Sequence, residues 1–166
     1  NYKKKINLKK FFFIKKYKNY IIYILLRWVV LSIILWLITV FIFPEKLFII
    51  QKNNSNLIYK IFLLYPLLSA LPQEFIFCTF FFKRYKSIFK KQSHLVFMSS
   101  ITFCFAHVFF LNWIAPLLGF FGGLMFAKTY LKTRSLFIVS IEHALYGNTL
   151  FFLGLGWFFW GGSTSN

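Results

Sequence analysis

Long apolar stretches alternate with short basic segments, and this alternation limits what the chain can fold into more than any other feature. The apolar stretches cover residues 20–43, 57–82, 95–127 and 136–160. A helix crosses the hydrocarbon core of a bilayer with about 20 mostly apolar residues, so each stretch is long enough to span a membrane. Of the 166 residues, 59% are hydrophobic and only 3 are Asp or Glu, which excludes an ordinary soluble domain.

The third stretch is too long for one untilted span, and we predict that it forms two helices. Residues 95–127 are interrupted by Asn112, a good N-cap residue, and Pro116 is tolerated in the first turn that follows it. The expected fold is therefore all-α, a polytopic membrane helical bundle with about five transmembrane helices. The first stretch is followed by Pro44 and Glu45 rather than by a small-residue cleavage site, so it is expected to remain as an anchor.

Two prolines lie inside the second stretch. Pro66 and Pro72 each remove an amide donor and free a carbonyl four residues earlier, so this helix is predicted to be kinked or broken. Glu74 follows Pro72 by two residues. If a half-helix restarts at Pro72, the Glu74 carboxylate lies in its first turn and faces unpaired amides.

The distribution of Lys and Arg predicts the orientation. With five helices, sixteen of the 20 basic residues fall on one side: eight before the first span, five in residues 83–91 and three in residues 128–134. Basic residues are enriched in cytoplasmic loops, so the N-terminus is predicted to be cytoplasmic. Arg27 lies near the basic end of the first span and is expected to snorkel towards the headgroups. Because the basic residues sit between apolar runs, the net charge of +17 is attributed to topology and no nucleic-acid partner is expected.

Four regions are predicted along the chain. Residues 1–19 form a basic juxtamembrane segment suited to the anionic headgroups of the lipid bilayer, and residues 20–56 form the first transmembrane helix and an outer loop. Residues 57–160 form the core, and residues 161–166 form a polar tail. The last span is expected to continue to about Trp160 and to end in an interfacial aromatic belt.

Four ionisable residues inside the apolar stretches indicate a buried functional site. Glu74, His107, Glu142 and His143 lie on three predicted helices, and burying such groups costs a few kcal/mol each. A carboxylate and two imidazoles form a cluster that is able to activate water, with or without a metal ion. The structural alternative is that these residues hydrogen-bond to one another and only lock the helices together.

Small residues recur every four positions in the fourth predicted helix, at Ala115, Gly119, Gly123 and Ala127. Such a seam lets neighbouring backbones approach closely, and we interpret it as a packing surface. In the preceding helix, His107 lies one turn from Phe103 on the same side, so its imidazole is expected to face protein and not lipid.

Three segments resemble, in order, the motifs of the CPBP family. Residues 72–78 resemble the EExxxR motif, residues 103–107 the FxxxH motif and residues 143–148 the HxxxN-type motif. This family contains the intramembrane proteases related to type II CAAX prenyl endopeptidases and to bacterial bacteriocin-immunity proteins. The similarity covers roughly residues 60–160, so the region 57–160 would be the protease core.

The resemblance implies a role for each motif residue. Glu74 would activate the attacking water, His107 and His143 would bind a divalent metal such as zinc or stabilise the oxyanion, and Asn148 would assist. The resemblance also implies an intramembrane endopeptidase with the active site inside a helical bundle. Its substrate would be a peptide or a membrane protein, and its location a bacterial cytoplasmic membrane.

Three residues depart from the motifs. Gln73 stands where the first Glu of the family usually stands, and Cys78 replaces the Arg. Asn148 follows His143 by five residues instead of four, a rotation of about 140° on a helix. Two alternatives therefore stay open: a non-catalytic relative, such as an immunity or interaction protein, and a small proton-coupled transporter.

Overall fold

Apolar helices joined by short turns build the chain between residues 17 and 159, which are the residues that the structure, a computed structural model, describes. The helices are α1 (Lys18–Ile42), α2 (Ile49–Asn53), α3 (Ser55–Tyr85), α4 (Gln92–Ala106), α5 (Ile114–Thr133) and α6 (Leu136–Leu153). Five segments are long and apolar enough to cross a membrane: α1, α3, α5, α6, and α4 together with the 3₁₀ turn that extends it to Phe110. The described residues contain no strand. The predicted all-α bundle with five spans is confirmed.

The two predicted terminal segments fall largely outside this description. Of the basic juxtamembrane segment 1–19, only residues 17–19 are described, and the polar tail 161–166 lies entirely outside the described residues. The division of the chain into four regions stays a prediction.

Helix α3 is continuous through both of its prolines. Residues Pro66–Ala70 and Phe75–Phe80 widen to the π-helical register, in which the amide of Leu71 donates to the carbonyl of Pro66. The wider register accommodates the missing proline amides without ending the helix. Of the two predicted alternatives, a kinked or a broken helix, the break at Pro72 is therefore wrong, whereas the kink stays a prediction. Glu74 lies within the continuous helix Ser55–Tyr85.

The predicted division at Asn112 is confirmed. Helix α4 ends at Ala106, a single 3₁₀ turn follows, and Leu111 adopts a left-handed conformation with φ of 56° before α5 begins at Ile114. The Asn112 side chain accepts a hydrogen bond from the amide of Ala115 at 2.9 Å and donates to the carbonyl of Phe158 at 2.8 Å. Asn112 thus caps α5 and also ties this turn to the C-terminal part of the chain.

The small-residue seam of α5 packs against α4, the most extensive helix contact among the described residues. A Cβ atom on Gly123 would lie 3.1 Å from the Cα of Ser100 and 3.2 Å from the Cβ of Phe103. Ala115 and Ala127 are completely buried. The seam is therefore a helix interface, as its spacing predicts.

Helix α1 is attached to the core through polar side chains. Only Ile24 and Thr39 of this helix are buried, so most of its surface faces outwards. The guanidinium of Arg27 forms an ion pair with Glu142 of α6, and the Trp28 indole donates to the Thr149 hydroxyl at 2.9 Å. The expectation that Arg27 snorkels is wrong, because a buried carboxylate on α6 offers it a partner inside the bundle.

The last span ends earlier than predicted. Helix α6 stops at Leu153, and Gly154 follows with φ of 99°, a left-handed conformation that favours glycine. Residues Leu155–Phe159 then form a 3₁₀ turn, in which the Phe159 ring lies 5.4 Å from the His107 ring. Phe159 therefore contacts a residue of the protein interior, and the interfacial aromatic belt stays a prediction.

Gly123→Leu should lower the yield of folded protein strongly, because its side chain has no space between α4 and α5. Leu117→Ala is the matched control on the same helix, since Leu117 is 44% exposed. The measurement is the fraction of monodisperse protein after detergent extraction. Equal yields for the two variants would contradict the seam as an interface.

Arg27→Met should destabilise the protein by about 3–5 kcal/mol, because it leaves the fully buried Glu142 carboxylate without its cation. The double variant Arg27→Met with Glu142→Met should recover most of that loss, since it removes both charges. Unfolding in detergent, followed by circular dichroism, measures the three stabilities. Additive losses in the double variant would show that the two side chains do not depend on each other.

Candidate active site

A cavity of about 490 Å³ lies between α1, α3, α5 and α6 and reaches the end of α4. Its α1 and α5 walls are largely apolar, with Leu31, Ile34, Leu118 and Met125 among the lining residues. The polar groups come mainly from α3, α6 and the end of α4, and they include both predicted histidines. The predicted histidines therefore share one pocket inside the bundle of spanning helices.

Glu74 and His143 are in direct contact. The Glu74 carboxylate oxygen Oε1 lies 2.8 Å from Nδ1 of His143, which joins α3 to α6. The two residues are 0% and 5% exposed, and the second carboxylate oxygen, Oε2, has no hydrogen bond to any of the described residues. His143 lines the cavity, whereas Glu74 lies behind it and is not part of the cavity wall.

The other ring nitrogen of His143 contacts a residue that the sequence did not suggest. The Tyr65 hydroxyl of α3 lies 2.9 Å from Nε2, and Tyr65 also lines the cavity. Glu74, His143 and Tyr65 thus form one continuous line of hydrogen bonds, from a fully buried carboxylate to the cavity surface.

The tautomer of His143 follows from this line. An ionised carboxylate only accepts hydrogen bonds, so with Glu74 ionised Nδ1 of His143 carries the hydrogen. In the neutral imidazole Nε2 is then the acceptor, and the Tyr65 hydroxyl donates to it. The Phe126 ring stacks on the imidazole with centroids 4.5 Å apart and limits its rotation.

His107 occupies the end of α4, where the helix stops. Its Nδ1 lies 2.7 Å from the carbonyl oxygen of Phe103, which accepts the hydrogen bond, and Nε2 has no hydrogen-bond partner within residues 17–159. Gly119 of the seam makes room for the ring, since a Cβ there would lie 3.1 Å from Cγ and Nδ1 of His107. His107 is 6% exposed and lines the cavity, so the expectation that it faces protein is confirmed.

Three polar residues of α3 recur every four positions along the cavity wall, at Tyr65, Ser69 and Gln73. The Gln73 amide donates to the Ser69 hydroxyl at 2.9 Å, and its carbonyl oxygen is buried without a hydrogen-bond partner. Gln73 therefore presents an amide to the cavity, and of the two adjacent residues Gln73 and Glu74 only Glu74 has a carboxylate.

The other candidates do not line the cavity. Asn148 does not line the cavity, and its Oδ1 atom is buried without a hydrogen-bond partner. Glu142 is paired with Arg27, as described above. Cys78 is 2% exposed, interacts with the Glu74 carboxylate one turn earlier on α3, and also packs in a hydrophobic cluster with Phe81 and Phe82.

The arrangement of donors does not fit a metal ion held by His107 and His143. Both ring nitrogens of His143 are engaged, with Glu74 and with Tyr65. No group of three or more His, Cys, Asp or Glu side chains within residues 17–159 is arranged to hold a metal ion. The steps derived below accordingly use no metal.

The sequence pattern did not identify the roles of Tyr65 and Arg27, and only one of these two roles could have been predicted from it. Tyr65 shares a four-residue spacing with Ser69 and Gln73, a polar stripe within an apolar helix that helical periodicity is able to reveal. Arg27 gave no comparable signal, because an arginine near the end of a span also suits the headgroup region.

Comparison with protein families identifies one match. The model of a family described as type II CAAX prenyl endopeptidase Rce1-like matches residues 55–160. The match includes Glu74, His107 and His143 and begins where α3 begins, so it leaves out α1. No curated protein and no solved structure matches the chain.

Protein purified without chelator should contain less than one equivalent of zinc or another divalent metal, because His143 has no free ring nitrogen. Elemental analysis of the detergent-purified protein measures this. His107→Ala and His143→Ala should leave the metal content unchanged. One equivalent of metal in the wild type that is lost in both variants would contradict this expectation.

Proposed function

Because the chain belongs to the Rce1-like type II CAAX prenyl endopeptidase family, we propose that it is an intramembrane endopeptidase in which Glu74 drives the attack of water on a peptide bond. The observation that carries this proposal is the 2.8 Å hydrogen bond between Glu74 and His143, formed beside a cavity among membrane-spanning helices. Peptide hydrolysis needs a proton acceptor for water and a donor for the oxyanion, and both act more strongly in a dry cavity.

Glu74 is the final proton acceptor in this proposal. Since it lies behind the cavity wall, the proton from water reaches it through His143, which takes a proton at Nε2 and gives the Nδ1 proton to the carboxylate. The water oxygen bonds to the carbonyl carbon, and the π electron pair moves onto the carbonyl oxygen. Reversal of the same proton path protonates the amine as the C–N bond breaks, which yields a carboxylic acid and a free amine.

His107 is the proposed oxyanion donor. Its Nδ1 hydrogen is committed to the carbonyl of Phe103, so only Nε2 is free to face the reacting carbonyl. Nε2 carries a hydrogen only when the imidazole is protonated, and burial of the ring opposes that charge, so His107 has to take up its proton as the negative charge develops on the carbonyl oxygen. A cation aimed at the developing negative charge stabilises the transition state more than the substrate.

Gln73 does not prevent this chemistry. A single ionised carboxylate is enough to accept the proton, and Glu74 supplies it through a hydrogen bond in which Gln73 has no part. The Gln73 carbonyl oxygen is an unused acceptor at the cavity wall, suited to a peptide N–H group of the substrate. Asn148 has no step in this proposal.

The apolar walls of the cavity suit an apolar segment of a peptide or of a membrane protein as the substrate. The multi-pass chain would lie in the cytoplasmic membrane of a bacterium, with its N-terminus on the cytoplasmic side, where the basic residues concentrate.

Glu74→Gln, His107→Ala and His143→Ala should each lower the rate of peptide cleavage at least about a hundred-fold, because each removes a proton-transfer or charge-stabilising group. The assay uses purified protein in liposomes with a library of apolar peptides, and products are identified by mass spectrometry. His94→Ala is the control, since His94 is exposed at the start of α4 and should cleave at the wild-type rate.

Rates are normalised to folded protein, which separates chemistry from stability. Full activity of any one of the three variants would remove that residue from the proposed mechanism. A wild-type protein that cleaves no peptide in the library would instead favour a non-catalytic relative.

A further inference from the structure

We propose that Tyr65 is a catalytic residue, the group that touches the attacking water and passes its proton to His143. This inference rests on the proposed endopeptidase function. It is carried by three observations: the hydrogen bond of Tyr65 to His143, its place on the cavity wall, and a glycine that leaves space for its ring.

The first two observations concern which atoms a water molecule in the cavity contacts. His143 lines the cavity, but its Nε2 atom is already occupied by the Tyr65 hydroxyl at 2.9 Å. Its Nδ1 atom is bound to Glu74 at 2.8 Å, so neither ring nitrogen is open to a water molecule. The phenol oxygen donates its hydrogen to Nε2 and keeps two lone pairs; the Ser69 side chain interacts with this oxygen as well, which leaves one lone pair to accept a hydrogen bond from water in the cavity.

The proton path is therefore complete only when Tyr65 is included. Water gives a proton to the phenol oxygen as its own oxygen bonds to the carbonyl carbon. Tyr65 gives its hydroxyl proton to Nε2 of His143, and His143 gives the Nδ1 proton to Glu74. Three protons move by one hydrogen bond each, Tyr65 and His143 end neutral, and Glu74 ends protonated. The reverse sequence delivers the proton to the leaving amine.

The third observation is the fit between Tyr65 and Gly147. Gly147 lies one helical turn after His143 on α6, and any Cβ at this position would collide with the ring carbons and the hydroxyl of Tyr65. The ring also makes edge contacts with His143 and Phe151, at centroid distances of 5.8 and 5.4 Å. The absence of a side chain at position 147 thus opens the space in which the phenol reaches His143.

A different role for Tyr65 is to hold the His143 ring without exchanging protons. The two roles predict different kinetics in mixtures of H₂O and D₂O. A relay in which several protons move in one step gives a curved dependence of kcat on the D₂O fraction, and removal of the hydroxyl should flatten that curve. A tyrosine that only positions His143 leaves the shape of the curve unchanged.

The test is Tyr65→Phe, assayed with the peptide cleavage and normalisation described above. Phenylalanine keeps the ring contacts with Gly147 and Phe151, so the variant should fold with the wild-type yield. We expect kcat to fall about a hundred-fold with little change in KM, together with loss of the curved D₂O dependence. Tyr59→Phe is the matched control on the same helix, because Tyr59 is 70% exposed, and it should retain wild-type kinetics.

The outcomes separate the two proposals. If the wild type cleaves and Glu74→Gln does not, but Tyr65→Phe keeps full activity, Tyr65 is not catalytic and the endopeptidase assignment stands. A lower kcat with an unchanged D₂O curve overturns the relay and leaves Tyr65 a positioning residue. If the wild type cleaves nothing, both the proposed function and the catalytic role of Tyr65 are overturned.

Discussion

A bundle that crosses a membrane has no water inside to solvate charge, so each buried ionisable group needs a partner within the protein. Two such pairs organise this structure, and both end on α6. Glu142 forms an ion pair with Arg27 of α1, and the adjacent His143 forms a hydrogen bond with Glu74 of α3. The first pair attaches an otherwise lipid-facing helix to the core, and the second builds the polar line at the cavity. Two adjacent residues of α6 therefore have different roles: Glu142 attaches α1 to the core, and His143 belongs to the candidate active site.

Glycines determine how closely the reactive groups approach. Gly119 leaves space for the His107 ring, and Gly147 leaves space for Tyr65 beside His143. Between apolar helices in lipid, close packing and hydrogen bonds supply much of the association energy, so small residues at these contacts stabilise the bundle as well. The same feature that permits tight helix packing thus also admits the imidazole and the phenol to the cavity.

Much of the fold follows from local rules that the sequence displays. The apolar runs, the N-cap at Asn112 and the four-residue seam predicted five spans and one helix interface, because length, capping and spacing act within a single segment. The two prolines of α3 allowed either a kink or a break, and only the packed helix excludes the break, because it adopts the π register that tolerates the missing amides. The inward turn of Arg27 depended on Glu142, 115 residues away.

For the site, the sequence by itself determined which residues are too polar for lipid, and hence that Glu74, His107 and His143 belong inside the bundle. Only the tertiary structure decided how they are connected. It places Glu74 behind His143 rather than at the cavity wall, brings Tyr65 to the second ring nitrogen, and leaves Asn148 outside the cavity. The physical reason is that the cost of burying a polar group is set mainly by the type of residue, which the sequence gives. Its hydrogen-bond partner depends instead on how helices that are distant in sequence pack against each other, which only the tertiary structure gives.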